Sequence, residues 1–179
     1  MNLTERILSY AHTYFDVAGL YRLSTIENAL ILGLESTPQR NLDHFEKIND
    51  GLFMMGFKQY VQPGLQSIIT KLGDEGILAK PIGKYGYISK GADDFINYKN
   101  AAIKAGLGKR GKNTIVINPV FGTRLRFAAL KIDAFVETTE DNADEGSSFC
   151  QTCSICINEC PVSILKPYQM LDAPKCLAN

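Results

Sequence analysis

The sequence predicts a mixed α/β fold closed by a small cysteine-rich module, and three observations carry that expectation. Segments with apolar residues at helical spacing alternate with short apolar or β-branched runs, and Gly, Pro and Asn punctuate the boundaries. Four of the five cysteines fall between Cys150 and Cys160. At 179 residues the chain can bury one substantial core with room for a small appendage.

The opening element reads as an amphipathic helix, because Leu3, Ile7, Leu8, Ala11, Phe15 and Ala18 recur at helical spacing, Asn2 with Glu5 resembles a capping box, and Gly19 ends it. The apolar run 29–34, bounded by Glu27-Asn28 and Ser36-Thr37-Pro38, predicts a buried strand. A second helix is expected over 41–58, with Leu42, Phe45, Ile48, Leu52 and Met55 on one face. Pro63 interrupts, and Leu65, Ile68, Ile69 and Leu72 mark a third helix that stops at Gly73. Residues 76–81 and 85–88 read as short extended pieces, and 92–105 as a helix with Phe95, Tyr98, Ala102 and Ile103 inward. After a glycine loop come a β-branched strand at 114–117, a turn at 118–122 and a second strand near 125–136. The acidic, polar stretch 138–148 reads as a linker. Met54, Met55 and the aromatic residues on these helices are most simply core.

Composition narrows the class. Apolar residues at 45% and charged ones at 21% suit a soluble globular protein. No apolar run is long enough to span a bilayer, so no membrane is expected. The N-terminus Met1-Asn2-Leu3-Thr4-Glu5-Arg6 has no basic stretch leading into an apolar run, so a cytoplasmic location is expected. Nineteen basic and nineteen acidic residues cancel. Their distribution is uneven: residues 99–131 hold Lys99, Lys104, Lys109, Arg110, Lys112, Arg124, Arg126 and Lys131 with no carboxylate. Such a run is either a solvated face or a positive field around a phosphate-bearing ligand.

Cysteines at intervals of three, three and four, closed by Pro161, match the bacterial ferredoxin run C-x2-C-x2-C-x3-C-P that wraps thiolates around a [4Fe–4S] cube. That spacing points to electron transfer. A structural zinc site is disfavoured, since zinc usually takes paired ligands from two separated knuckles and neither His12 nor His44 is near. Disulfides would need an oxidising compartment. Pro161 suits the first turn of a helix, which Val162, Ile164 and Leu165 would continue. In two-cluster ferredoxins the fourth cysteine of such a run serves the other cluster. Cys160 therefore need not join Cys150, Cys153 and Cys156. Two cubes ask for eight thiolates, whereas the chain has five, the last being Cys176. At most one stable cluster is expected, its fourth position filled by Cys160, by Cys176 or from outside the chain.

The segment Gly106-Leu107-Gly108-Lys109-Arg110-Gly111-Lys112-Asn113-Thr114 satisfies G-x-G-x-x-G and nearly satisfies the P-loop pattern. Both patterns bind phosphate only where a strand enters the loop and a helix leaves it. Here the predicted order is helix, loop, strand, so nucleotide binding is rejected by either route. Three glycines among Lys109, Arg110 and Lys112 instead suggest a cationic loop that a ligand approaches closely.

The run from Ala105 to Thr114, the following Ile-x-Ile-Asn-Pro-x-Phe-Gly122, the stretch from Arg124 to Asp133 and the cysteine run together resemble the epoxyqueuosine reductase family and its relatives, the reductive dehalogenases. The similarity is specific over 98–161 and faint upstream. It implies a nitroreductase-like, cobalamin-binding α/β core over 1–137, an acidic linker at 138–148 and a ferredoxin-like [4Fe–4S] module at 149–179. In such proteins electrons pass through the clusters to the corrinoid cobalt, which drives substrate reduction. The resemblance implies corrinoid contacts at Gly106, Leu107, Gly108, Gly111, Lys112 and Asn113, and cluster ligation by Cys150, Cys153, Cys156, Cys160 and Cys176. Cys176 resembles the isolated cysteine that pairs with Cys160 around a second cluster. A ferredoxin- or flavodoxin-type electron donor, a small-molecule or tRNA substrate, and a partner chain completing cluster ligation are the partners it implies.

The chain also departs from the family's pattern. The family's catalytic acid lies in a Val-Asp-Ser-Ala-Pro-like segment, and here 87–95 reads Tyr-Ile-Ser-Lys-Gly-Ala-Asp-Asp-Phe. No catalytic role passes to Asp93 or Asp94. The tryptophan after Gly-Leu-Gly is replaced by Lys109, and what the family carries beyond Cys176 is absent. Two functions therefore compete: a reductase using iron–sulfur and corrinoid centres, and a non-catalytic iron–sulfur carrier with a vestigial corrinoid domain. A cluster-based sensor acting on nucleic acid finds little support, because no DNA-binding helix pair is recognisable.

Overall fold

The computed structural model describes residues 1–24, 27–49, 51–82, 96–138, 146–169 and 176. Its centre is a four-stranded sheet built from β1 (Val17–Arg22), β2 (Asn28–Glu35), β5 (Ala79–Pro81) and β8 (Leu125–Ile132), ordered β1-β2-β8-β5. Every pairing in it is antiparallel: Val17 lies opposite Gly33, Asn28 opposite Ile132 and Ala79 opposite Ile132. β2 is the expected buried strand. Its side chains alternate between two cores, as a period of two demands. Leu30, Leu32 and Leu34 pack with Ile7 of α1 (Leu3–His12) and with Ile68 and Leu72 of α3 (Gln62–Asp74). Ala29 and Ile31 face the other way, onto Ala101, Ala102 and Ile103 of α4 (Tyr98–Lys104). Both faces of the sheet are thus covered, and the mixed α/β class holds.

Two expectations about elements of the core fail. The opening helix ends at His12 instead of running to Gly19, although its capping box forms as read, with the Glu5 amide donating to Asn2 Oδ1 at 2.8 Å. Ala18 and Gly19 belong to β1, where a Cβ on Gly19 would stand 2.6 Å from the Ala105 carbonyl oxygen. The glycine is there because α4 ends directly against the strand, not to stop a helix. Residues 41–58 are a hairpin of β3 (Phe45–Ile48) and β4 (Gly51–Met54) followed by α2 (Met55–Tyr60). Asn49, at φ 54°, takes the left-handed turn that reverses the chain. The apolar residues at helical spacing there are partly solvent-facing, with Phe45 and Ile48 exposed.

The third helix matches its reading, with Pro63 accommodated at its first turn, where the missing N–H has no partner to lose. The expected helix over 92–105 is described from Tyr98, and the extended piece at 85–88 lies outside the described residues. Most of the acidic linker, 139–145, also lies outside them. Among the described residues no helix is long and apolar enough to cross a membrane.

Candidate functional site

Helix α4 ends where Gly106 takes φ +75°, with its amide on the Ile103 carbonyl at 2.9 Å and the Leu107 amide on Ala102 at 2.8 Å. This is a glycine-terminated helix end, which closes the last carbonyls and turns the chain. The chain then forms a tight hairpin of β6 (Lys109–Arg110) and β7 (Val116–Ile117), closed by the Gly111 amide on Ile115 O at 2.8 Å. The order helix, loop, strand therefore stands, and the loop leads into a strand instead of opening a helix.

Each glycine of the loop has an internal reason. A Cβ on Gly108 would lie 2.7 Å from both the Ile117 carbonyl oxygen and Val116 Cγ1, and one on Gly111 would lie 3.1 Å from Asn113 Oδ1. Helix termination at Gly106, the lack of room at Gly108 and the tight contacts at Gly111 account for these glycines, so their count does not by itself point to a closely approaching ligand. Asn113 caps its own turn, its Oδ1 accepting from the Ile115 amide at 3.2 Å. Asn118 anchors the next turn: Nδ2 donates to Leu107 O at 2.8 Å, while Oδ1 accepts from the amides of Val120 at 2.9 Å and Phe121 at 3.0 Å. Sequence reasoning found that turn but not the side chain that ties it to the loop.

The cysteine segment docks on this hairpin. The Ser147 amide donates to Arg110 O at 2.7 Å, and the Tyr168 amide donates to Lys112 O at 3.1 Å. Lys112 Nζ reaches Cys153 O at 2.7 Å, Gln151 O at 3.1 Å and Ser154 Oγ at 3.3 Å. Cys150 closes a short 3-10 turn at Ser148–Cys150, Cys156 lies in α5 (Ile155–Asn158), and Cys153 is exposed on the loop between them. All five cysteines are free thiols, with Cys176 half-buried. Among the described residues no three His, Cys, Asp or Glu side chains are gathered as a set to hold a metal ion.

No helix starts at Pro161, contrary to expectation. Ser163 takes φ 51°, which breaks a helix, and the chain curls back around Cys160. Burial acts to raise the Cys160 thiol, but backbone hydrogen bonds from Ile164, Leu165, Val162 and Ser163 outweigh it and hold the thiol below its ordinary value. The donor set thus suits an iron–sulfur cluster in its chemistry: free thiols on one short segment, with one of them favoured as thiolate.

A cleft of about 310 Å³ lies between hairpin and cysteine segment, lined by Gly106, Gly108, Lys109, Pro119, Ser148 and Phe149 among others. That volume is at the small end for small-molecule sites. Of the residues expected to touch a corrinoid, Gly106 and Gly108 line it, whereas Lys112 is directed to the cysteine loop.

The basic run is largely consumed by the fold. Carboxylates from elsewhere meet three of its members: Glu35 on Arg124 at 2.7 Å, Asp43 on Arg126 at 2.6 Å and Glu27 on Lys131 at 2.7 Å. Lys104 lies over the Tyr21 ring. Arg110 is buried and donates to Asn100 Oδ1 at 2.6 Å. Lys99 is held below its ordinary value, first by burial and then by Arg110, and donates to Thr114 Oγ1 at 3.4 Å. Lys109 lines the cleft. Asp93 and Asp94 lie outside the described residues.

No family model matches the chain. An epoxyqueuosine reductase of Cyclobacterium marinum is 34% identical over 77 residues, which is 43% of this chain and 24% of that protein. One from Vibrio cholerae is 26% identical over 110 residues, 62% of this chain and 28% of the relative. In fold, the epoxyqueuosine reductase of Streptococcus thermophilus superposes with a TM-score of 0.69 at 17% identity, covering 99% of this chain and 57% of that one. A catabolic reductive dehalogenase does so at 0.65 and 15%, covering 96% of this chain and 28% of the other. The chain thus spans little more than half of the solved reductase it resembles, and its sequence match spans about a quarter of the curated relatives. Matched in sequence over part of its length and in fold over nearly all of it, the chain is similar to the epoxyqueuosine reductases.

Proposed function

We propose that this chain is an iron–sulfur redox protein of the epoxyqueuosine reductase type. In this reading a nitroreductase-like core over 1–137 presents its cleft to a corrinoid, and a ferredoxin-like module over 149–179 carries a [4Fe–4S] cluster beside it. Electrons from the cluster would serve substrate reduction at the corrinoid. The observation that carries the reading is the docking itself: the cysteine segment is tied to the hairpin by Ser147, Tyr168 and Lys112, and the residues next to Cys150 line the cleft.

Cys150, Cys153, Cys156 and Cys160 are the proposed ligands, with Cys176 as the other thiol in reach of the ligand count. A cluster held by thiolates supplies one-electron transfer when bound. The protein's own part is to lower the Cys160 thiol through surrounding amides and to fix the loop carrying Cys153. Gly106, Gly108 and Lys109 bound the open face available to a corrinoid. A ferredoxin- or flavodoxin-type donor would load the cluster, and a partner chain could supply a missing ligand. For substrate, one similar solved structure is an epoxyqueuosine reductase with an epoxyqueuosine-modified tRNA-Tyr stem loop, which favours a tRNA over a small molecule.

The second reading, a carrier without corrinoid, is favoured by one observation: Gly106 ends a helix at positive φ and Gly108 has no room for a Cβ, so the loop's own structure accounts for them. Titrating cobalamin into the anaerobic protein while following its absorbance separates the two. Saturable binding with a perturbed corrinoid spectrum supports the reductase reading, and an unchanged spectrum leaves the carrier.

A further inference from the structure

We infer that Lys112 is a positioning residue that clamps the cysteine loop to the core and supplies positive charge beside any cluster the cysteines hold. This rests on the iron–sulfur reading above and deepens it. An ammonium has three N–H donors and no acceptor. At Lys112 all three have oxygen partners, Gln151 O at 3.1 Å, Cys153 O at 2.7 Å and Ser154 Oγ at 3.3 Å. None is left for a phosphate or a ligand amide in the cleft. Those partners lie on successive parts of one loop, flanked by Cys150 and Cys156, so one cation fixes the path of the chain between two candidate ligands. The same residue's carbonyl receives the Tyr168 amide at 3.1 Å, so backbone and side chain hold opposite ends of the cysteine segment.

Charge and shape both matter at this position. Hydrogen bonds from an ionised donor are roughly twice as strong as neutral ones. A guanidinium is a planar fork, unsuited to three convergent oxygens that an ammonium meets in three directions. A cation near a cluster favours the reduced, more negative form, so its removal makes the cluster harder to reduce.

The test uses the full chain and three proteins: the parent, Lys112→Met and Lys112→Arg. Hydrogen exchange is read on the iron-free protein at the amides of Gln151, Ile157 and Asn158, which close the turns at either side of the loop. Lys112→Met should exchange there about tenfold faster, the loss expected for charge-assisted bonds, while β2 and β8 stay as in the parent. After anaerobic reconstitution, a spectroscopic redox titration should place the Lys112→Met midpoint more negative than the parent's. Lys112→Arg should speed loop exchange but keep its midpoint nearer the parent. Loop exchange at the parent's rate, or a midpoint unmoved in Lys112→Met, overturns the inference. A parent that takes up no iron overturns the cluster reading instead, and the exchange measurement still decides the clamp.

Discussion

Replacing Gly108 by alanine tests whether the glycine loop is shaped by its own packing or by a ligand. The added Cβ would stand 2.7 Å from the Ile117 carbonyl oxygen and 2.7 Å from Val116 Cγ1. Val116 is buried at 4% exposure and the carbonyl belongs to β7, so neither can swing aside without moving the hairpin. Overpacking of this kind costs about 1–3 kcal/mol. For a chain of this size that lowers Tm by roughly 2–10 °C. Gly73 provides the control, because nothing lies within 4 Å of a Cβ there and the residue is exposed near the end of α3. Gly73→Ala should be neutral or stabilise by about 0.5 kcal/mol. Thermal and urea unfolding of the iron-free protein, followed by circular dichroism, measures both. Gly108→Ala matching the parent in stability while losing cobalamin binding would refute the packing argument and return the glycine to the ligand.

Asn118→Ala should destabilise by about 1–2 kcal/mol in the same assay, since it strands the buried Leu107 carbonyl and releases the part-buried amides of Val120 and Phe121. Tyr98 is pushed up to about 12 by burial and donates its hydroxyl to Ile82 O. The folded state therefore keeps a proton that the unfolded state loses near 10. Its contribution is whole below about pH 10 and is lost as pH rises towards 12, on the order of 2 kcal/mol. Stability measured across that range should fall in the parent and fall less steeply in Tyr98→Phe.

The parts of the fold legible in the sequence are those set by local pattern. β2 announced itself as an apolar run between turn residues, and α3 as an amphipathic stretch with proline at its start. The β3–β4 hairpin was hidden because Leu42, Phe45, Ile48, Leu52 and Met55 happen to keep helical spacing. The Asn49-Asp50-Gly51 turn signal was the contrary clue, and Asn49 carries the turn. Gly19 looked like a helix stop because its real neighbour, Ala105, is far off in sequence. At the site, cysteine spacing and the loop's glycines were readable. The glycines' packing, the curl of chain around Cys160 and the use of Lys112 were not, because each depends on where later segments return. The ion pairs of the basic run were hidden for the same reason: Glu27, Glu35 and Asp43 come from outside it.

Iron and sulfide analysis of the anaerobically reconstituted protein tests the central claim most directly. Five thiols allow one fully ligated cube, so about four iron and four sulfide per chain are predicted. Stoichiometric zinc without sulfide would contradict the iron–sulfur reading, and about eight of each would contradict the single cluster.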